Sequence, residues 1–127
     1  MNPLNKKSFL FFGGGSGLSN ILKPFVNSFR DDVEYNLSII VSTFDNGGST
    51  GKLRSEKKIP ALGDLRKVIS SLSSESDYIF LEYRFLNKLL SPHTVGNIIL
   101  ENFLNKNKSL IKAIEEMSSI YLQYKAT

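Results

Sequence analysis

A chain of 127 residues with 41% hydrophobic content suits one packed domain and excludes a disordered polymer. It contains no cysteine, so disulfides and thiolate metal sites are excluded and the cytoplasm is the expected compartment. The net charge of +4 is scattered, with no basic stripe and no interleaved aromatics. That argues against a nucleic-acid surface and suits an anionic small ligand.

Lys6 and Lys7 precede an apolar run, as in a secretion signal. The run is only about four residues long and stops at glycines, too short for a signal core or a membrane span. Phe9 to Phe12 is predicted as a buried strand, apolar without alternation, as in the middle of a parallel sheet. Gly13-Gly14-Gly15-Ser16-Gly17-Leu18-Ser19 reads as a loop entering a helix. Leu18, Ile21, Leu22, Phe25, Val26 and Phe29 then follow at helical spacing. Pro24 inside that run predicts a kink or a later start. Leu37 to Thr43 is the second predicted strand, rich in β-branched residues.

A polar glycine loop, Phe44 to Gly51, follows, and the connection continues to Pro60. Leu62 to Leu72 is predicted helical, with Asp64 in its first turn where a negative charge suits the dipole. Asp77 to Leu90 is also read as helix, broken at Ser91-Pro92-His93-Thr94. Val95 to Phe103 and Ser109 to Tyr121 complete the predicted elements. Strand, glycine loop, helix, strand, glycine loop, helices is βαβ order, hence an α/β fold with a parallel sheet and flanking helices. Two strands make a poor sheet, so further strands are expected, either hidden after Leu72 or absent from a chain that looks cut off.

Successive amides in Gly13, Gly14, Gly15, Ser16 and Gly17 can form a concavity for an anion, and the helix beginning near Leu18 adds its dipole. Leu18 stands where a dinucleotide fingerprint needs its third glycine, and no Lys-Ser/Thr pair makes a P-loop. In a parallel sheet the second loop lies at the same edge, where ligands bind. There Asp45 could accept from a sugar hydroxyl or hold a divalent ion near phosphates. Asn46, Gly47, Gly48, Ser49 and Thr50 add neutral groups and close backbone approach, and Arg54 could grip a phosphate bidentately. The bland alternative is an exposed turn. Asp64 either caps its helix or pairs with Arg66, which could equally meet a ligand. His93, the one histidine, is either an acid–base group or a side chain that caps the helix or bonds to a backbone carbonyl. Asn97 can read a base or a backbone peptide with both sides of its amide. No nucleophile–base–orienter set is visible, and no catalytic residue or metal ligand is assigned.

Four stretches, GGGSGLSNIL, STFDNGGSTGKLR, IPALGDLRKVISSL and HTVGNIILENFL, in this order, resemble the bacterial gluconeogenesis factor family. That family is related to the 2-phospho-L-lactate transferases. FLEYRFLN before the histidine is also similar to it. The resemblance runs from about Phe9 to Met117, and residues 119–127 form an atypical tail. It implies residues 1–127 to be the N-terminal part of a Rossmann-like nucleotide-sugar-binding domain, well under half of a family member. It further implies a UDP-sugar-binding regulator needed for growth on gluconeogenic carbon and for cell shape, not a catalyst. The transferase branch would instead imply a phospholactyl-type transfer from a nucleotide-linked donor with a divalent metal. By position, the family's ligand-binding motifs fall on Gly13 to Leu18, on Asp45 to Thr50 with Arg54, on Asp64 and Arg66, and on His93 and Asn97. Ser16 stands where threonine is more usual and keeps the hydroxyl. The expected partner is a UDP-sugar or related nucleotide, with neither nucleic acid nor a membrane span. A homo-oligomer is the competing way to cover the surface of an incomplete sheet.

Overall fold

The structure, a computed structural model, describes residues 6–29, 33–43 and 61–123. Strand β1 (Lys7–Gly13) leads through Gly14 into helix α1 (Gly15–Asn27), and β2 (Tyr35–Val41) follows. Helices α2 (Gly63–Ser71), α3 (Glu75–Glu82), α4 (Val95–Asn107) and α5 (Leu110–Tyr121) complete the described chain. The two strands are parallel, with Lys7 opposite Tyr35 and Gly13 opposite Val41. The α/β class and the parallel βαβ start therefore stand as the sequence predicts.

Period-2 alternation sets what the sheet buries. Phe9, Phe11, Leu37, Ile39 and Val41 face the helices and pack with Leu18, Leu22 and Val26 of α1 and Val68 and Leu72 of α2. Phe25 lies edge-on to Phe9 and Phe11, with ring centroids 4.9 and 4.8 Å away, a favoured aromatic geometry. These contacts hold α1 on the sheet through Pro24, which sits inside the helix near its end and cannot donate a main-chain hydrogen bond.

A second core lies among the helices. Leu62 and Ile69 of the α2 region meet Leu81, Leu100, Ala113 and Met117. The apolar residues of α4 are buried here, not on the sheet, and α2 is the wall shared by both cores.

Three expectations change. β1 is not buried on both faces: Leu10 and Phe12 are 58% and 76% exposed, because α1 and α2 cover only one side of the sheet. The glycine run is largely helix, not loop. Leu18 N–H already donates to the Gly14 carbonyl at 3.0 Å, so Gly15, Ser16 and Gly17 form the first turn of α1. Finally, the helix predicted over residues 77–90 ends at Glu82. Val95 N–H donates to the Tyr83 carbonyl and Phe85 N–H to the His93 carbonyl, so an antiparallel bridge between Arg84 and Thr94 draws the backbone out of helix. The start of α3 also moves back to Glu75, since the Ser74 hydroxyl accepts from Asp77 N–H at 3.2 Å and caps it.

Candidate functional site

Both strands end at one edge, where Ser42 N–H donates to the Gly13 carbonyl at 2.9 Å. Ser42, the first residue after β2, therefore lies beside the residue that precedes the N-cap of α1. Asp45, Asn46, Gly47, Gly48, Ser49, Thr50 and Arg54 lie outside the described residues.

At this edge α1 and α2 touch through their first turns. A Cβ on Gly15 would fall 2.5 Å from Asp64 Cα and 2.8 Å from the Asp64 carbonyl oxygen. Glycine at position 15 is thus required by backbone-to-backbone helix packing, a reason the sequence alone does not reveal. Gly14 is the N-cap, with Asp64 Oδ2 4.0 Å from its would-be Cβ, while a Cβ on Gly17 would meet nothing within 4 Å. Gly13 packs against Leu18, whose side chain belongs to the first core.

Capping chemistry separates this edge from the rest of the molecule. Ser74, Thr94 and Ser109 each accept a main-chain N–H through their hydroxyls and close the N-termini of α3, α4 and α5. The N-caps of α1 and α2, Gly14 and Leu62, make no side-chain cap hydrogen bond. Helix N-terminal amides have no intrahelical partner and carry partial positive charge, and at this edge the first turns of two such helices meet. Asp64 is not the cap of α2, because it lies inside the first turn.

One turn beyond Asp64, Lys67 Nζ donates to Ser16 Oγ at 2.9 Å. With Ser19, Asn20, Tyr78 and Glu82 these residues line a polar depression of about 160 Å³. Lys67 is not among the candidate residues that the sequence singles out. Its signal was its spacing, three positions after Asp64, which places both on the face of α2 that meets α1. The depression is below the roughly 300–1,000 Å³ of small-molecule sites.

Arg66 and Asn97 lie elsewhere, 2% and 1% exposed, on the side of α2 that faces α3 and α4. Arg66 Nε donates to Asn97 Oδ1 at 3.1 Å. Its Nη1 forms a close ion pair with Glu82 Oε1, a contact without directed hydrogen-bond geometry. Ser70 Oγ donates to the same Glu82 oxygen at 2.5 Å. These two motif residues thus bind three helices together behind the edge. His93, near Asn97 in sequence, is buried as well, its main-chain N–H donating to the Leu90 carbonyl at 2.7 Å. Thr94, not His93, caps α4. The structure brings Gly14, Gly15, Ser16, Asp64 and Lys67 together in one cluster and Arg66 and Asn97 in another, with Glu82 contributing to both.

Comparison with known proteins adds identity to this geometry. The chain matches the family described as 2-phospho-L-lactate transferase CofD over residues 10–125. It is 37% identical over 119 residues to the gluconeogenesis factor of Bacillus subtilis strain 168, covering 91% of this chain and 36% of that protein. The gluconeogenesis factor of Halalkalibacterium halodurans is 35% identical over 120 residues, which is 92% of this chain and 36% of the relative. A crystal structure of a UPF0052 family protein from Bacillus halodurans superposes with a TM-score of 0.84 at 34% identity, covering 97% of this chain and 39% of that one. The chain spans little more than a third of the length of these relatives. Among the described residues no helix is long and apolar enough to cross a membrane. The chain belongs to the 2-phospho-L-lactate transferase CofD family and corresponds to the N-terminal part of its gluconeogenesis-factor relatives.

Proposed function

We propose that this chain carries the phosphate-binding half of a UDP-sugar site in a cytoplasmic regulator of gluconeogenic growth and cell shape. The observation that carries the reading is the pair of helix N-termini without side-chain caps, at Gly14 and Leu62, at the carboxyl edge of a parallel sheet. Gluconeogenesis-factor relatives at 35–37% identity support the regulatory role. Gly13 to Leu18 and Lys67 receive the diphosphate, and the second loop, from Asp45 to Thr50 with Arg54, takes the nucleoside or sugar. Arg66 and Asn97 act from behind, holding α2, α3 and α4 in register.

Calorimetric titration of UDP-sugars, with and without a divalent ion, tests this on the chain and on the Bacillus subtilis relative carrying the equivalent substitutions. Lys67→Met is expected to weaken binding at least tenfold with an unchanged melting temperature. Equal affinity in the variant removes Lys67 and the α1 edge from the site. The family match supports a second reading, phospholactyl-type transfer from a nucleotide-linked donor with a divalent metal. Steady product formation in the same incubation would decide for transfer over binding alone.

A further inference from the structure

Lys67 and Glu82 line the same polar depression between α1, α2 and α3, yet they form no ion pair with each other. Lys67 Nζ reaches across to α1 and donates to Ser16 Oγ. Glu82 turns inward with one oxygen only. Its Oε1 makes the close ion pair with Arg66 Nη1 and accepts from Ser70 Oγ at 2.5 Å. The Arg66 guanidinium is buried and always charged, so the charge of Glu82 is balanced from the interior and not from the depression. Among the described residues no contact falls on Glu82 Oε2, and 27% of the Glu82 side chain stays accessible.

A carboxylate fixed through one oxygen presents the other as an acceptor in a set direction. Beside it stand the Lys67 ammonium, the hydroxyls of Ser16 and Ser19, and the Asn20 amide. Lys23 Nζ of α1 lies 5.1 Å from the ring centroid of Tyr78 on the rim, a contact that ties α1 to α3 across the depression. A bare phosphate meets Lys67 but is repelled by Glu82. A ligand whose phosphate is followed by hydroxyl groups satisfies both, with the anion at Lys67 and a hydroxyl donor at Glu82 Oε2.

We propose that Glu82 is the specificity-determining residue of this site and accepts a hydroxyl of the sugar that follows the diphosphate. The inference rests on the reading of the α1 edge as the diphosphate site, and it puts the sugar end of the ligand over the depression. Arg66 and Ser70 are positioning residues. They hold Oε1, so that the carboxylate does not swing to Lys67 and cancel the charge that the phosphate needs.

Calorimetric titration of the chain with UDP-glucose and with UDP tests this. The wild-type chain is expected to favour UDP-glucose roughly tenfold, the worth of one hydrogen bond to a charged group. Glu82→Gln should reduce that preference to about threefold or less, since a neutral acceptor bonds about half as strongly. Its affinity for UDP should stay equal or rise, because a negative charge has left the neighbourhood of the phosphate. Glu82→Gln also unbalances the buried Arg66, so Ser70→Ala accompanies it, which keeps both charges and frees Oε1. Ser70→Ala should lower the preference in the same direction, and circular dichroism checks the fold of each variant. Damage to the fold would weaken both ligands together. Lys67→Met should weaken both ligands alike. If it weakens neither, the diphosphate reading fails. If it weakens both while Glu82→Gln keeps the full preference or loses both ligands equally, only the role of Glu82 is overturned. Should Glu82→Gln not fold, an undiminished preference in Ser70→Ala overturns that role. A wild-type chain that binds neither ligand, or both equally, also overturns it.

Discussion

Gly96 and Arg66 are packed so closely that a Cβ on Gly96 would lie 2.7 Å from Arg66 Cγ and 2.9 Å from Cδ. The same Cβ would stand 2.9 Å from the Leu81 carbonyl oxygen, so α2, α3 and α4 meet at one glycine. The missing side chain lets the aliphatic stem of Arg66 pass over α4 while its head reaches Asn97 and Glu82. Gly96→Ala is therefore expected to destabilise by about 1–3 kcal/mol, the usual cost of overpacking, although alanine is the better helix former. Urea unfolding with an unchanged slope and a lowered midpoint checks this. A midpoint at or above the wild-type value would show that the three helices give way more easily than the contact distances imply.

Gly15 and Gly17 separate packing from helix propensity within a single turn. Gly15→Ala drives a methyl group into the backbone of Asp64 at 2.5 Å, where no side chain can swing away. It should destabilise by at least ~1–3 kcal/mol. Gly17→Ala enters open space and should stabilise by up to about 1 kcal/mol through helix propensity. Thermal melts of the two variants should move in opposite directions. If Gly17→Ala raises stability but weakens UDP-sugar binding, an anion approaches the backbone at Gly17.

Glu116 makes the junction of α4 and α5 sensitive to acid. Hydrogen bonds from Lys106 first, and then from Asn107, hold its carboxyl below the ordinary value of 4.5. The Lys106 Nζ and Asn107 Nδ2 contacts are 2.5 and 2.7 Å. A carboxyl with a lowered folded pKa contributes stability that is complete above its ordinary value. That contribution is lost as pH falls through the lowered value. Glu116→Gln should flatten this part of the acid slope and leave the rest of the profile parallel. Melting temperatures measured on both sides of pH 4.5 decide it, and an unaltered acid slope rules the contribution out.

Lys108 closes α4 in the left-handed region, at φ 54° and ψ 19°. A non-glycine residue is disfavoured there by roughly 1–2 kcal/mol. Lys108→Gly is expected to recover part of that, about 0.5–1 kcal/mol, since glycine also adds freedom to the unfolded chain. A rise of a few degrees in the melting temperature is the expected reading. A fall would mean that the Lys108 side chain contributes more than its backbone costs.

Local signals by themselves determined a great deal of this protein. The α/β class, the order of elements and the parallel start follow from apolar periodicity and from glycine placed directly after a strand, both properties of neighbouring residues. The four motif stretches were enough to indicate the family. What only the tertiary structure decided concerns which neighbour each residue meets. Gly15 reads as part of an anion cradle until α2 is placed against it, and its lost Cβ is then seen to face Asp64. Arg66 reads as a cation for a ligand until Glu82 and Asn97, 16 and 31 positions away, turn out to enclose it. Lys67, next to it, points the other way to Ser16, because adjacent helical residues lie about 100° apart. The end of α3 was equally hidden, since residues 83–90 carry helix-compatible residues. A long-range bridge from Arg84 to Thr94 overrides that preference, as tertiary pairing commonly overrides the few tenths of a kcal/mol per residue that separate helix propensities.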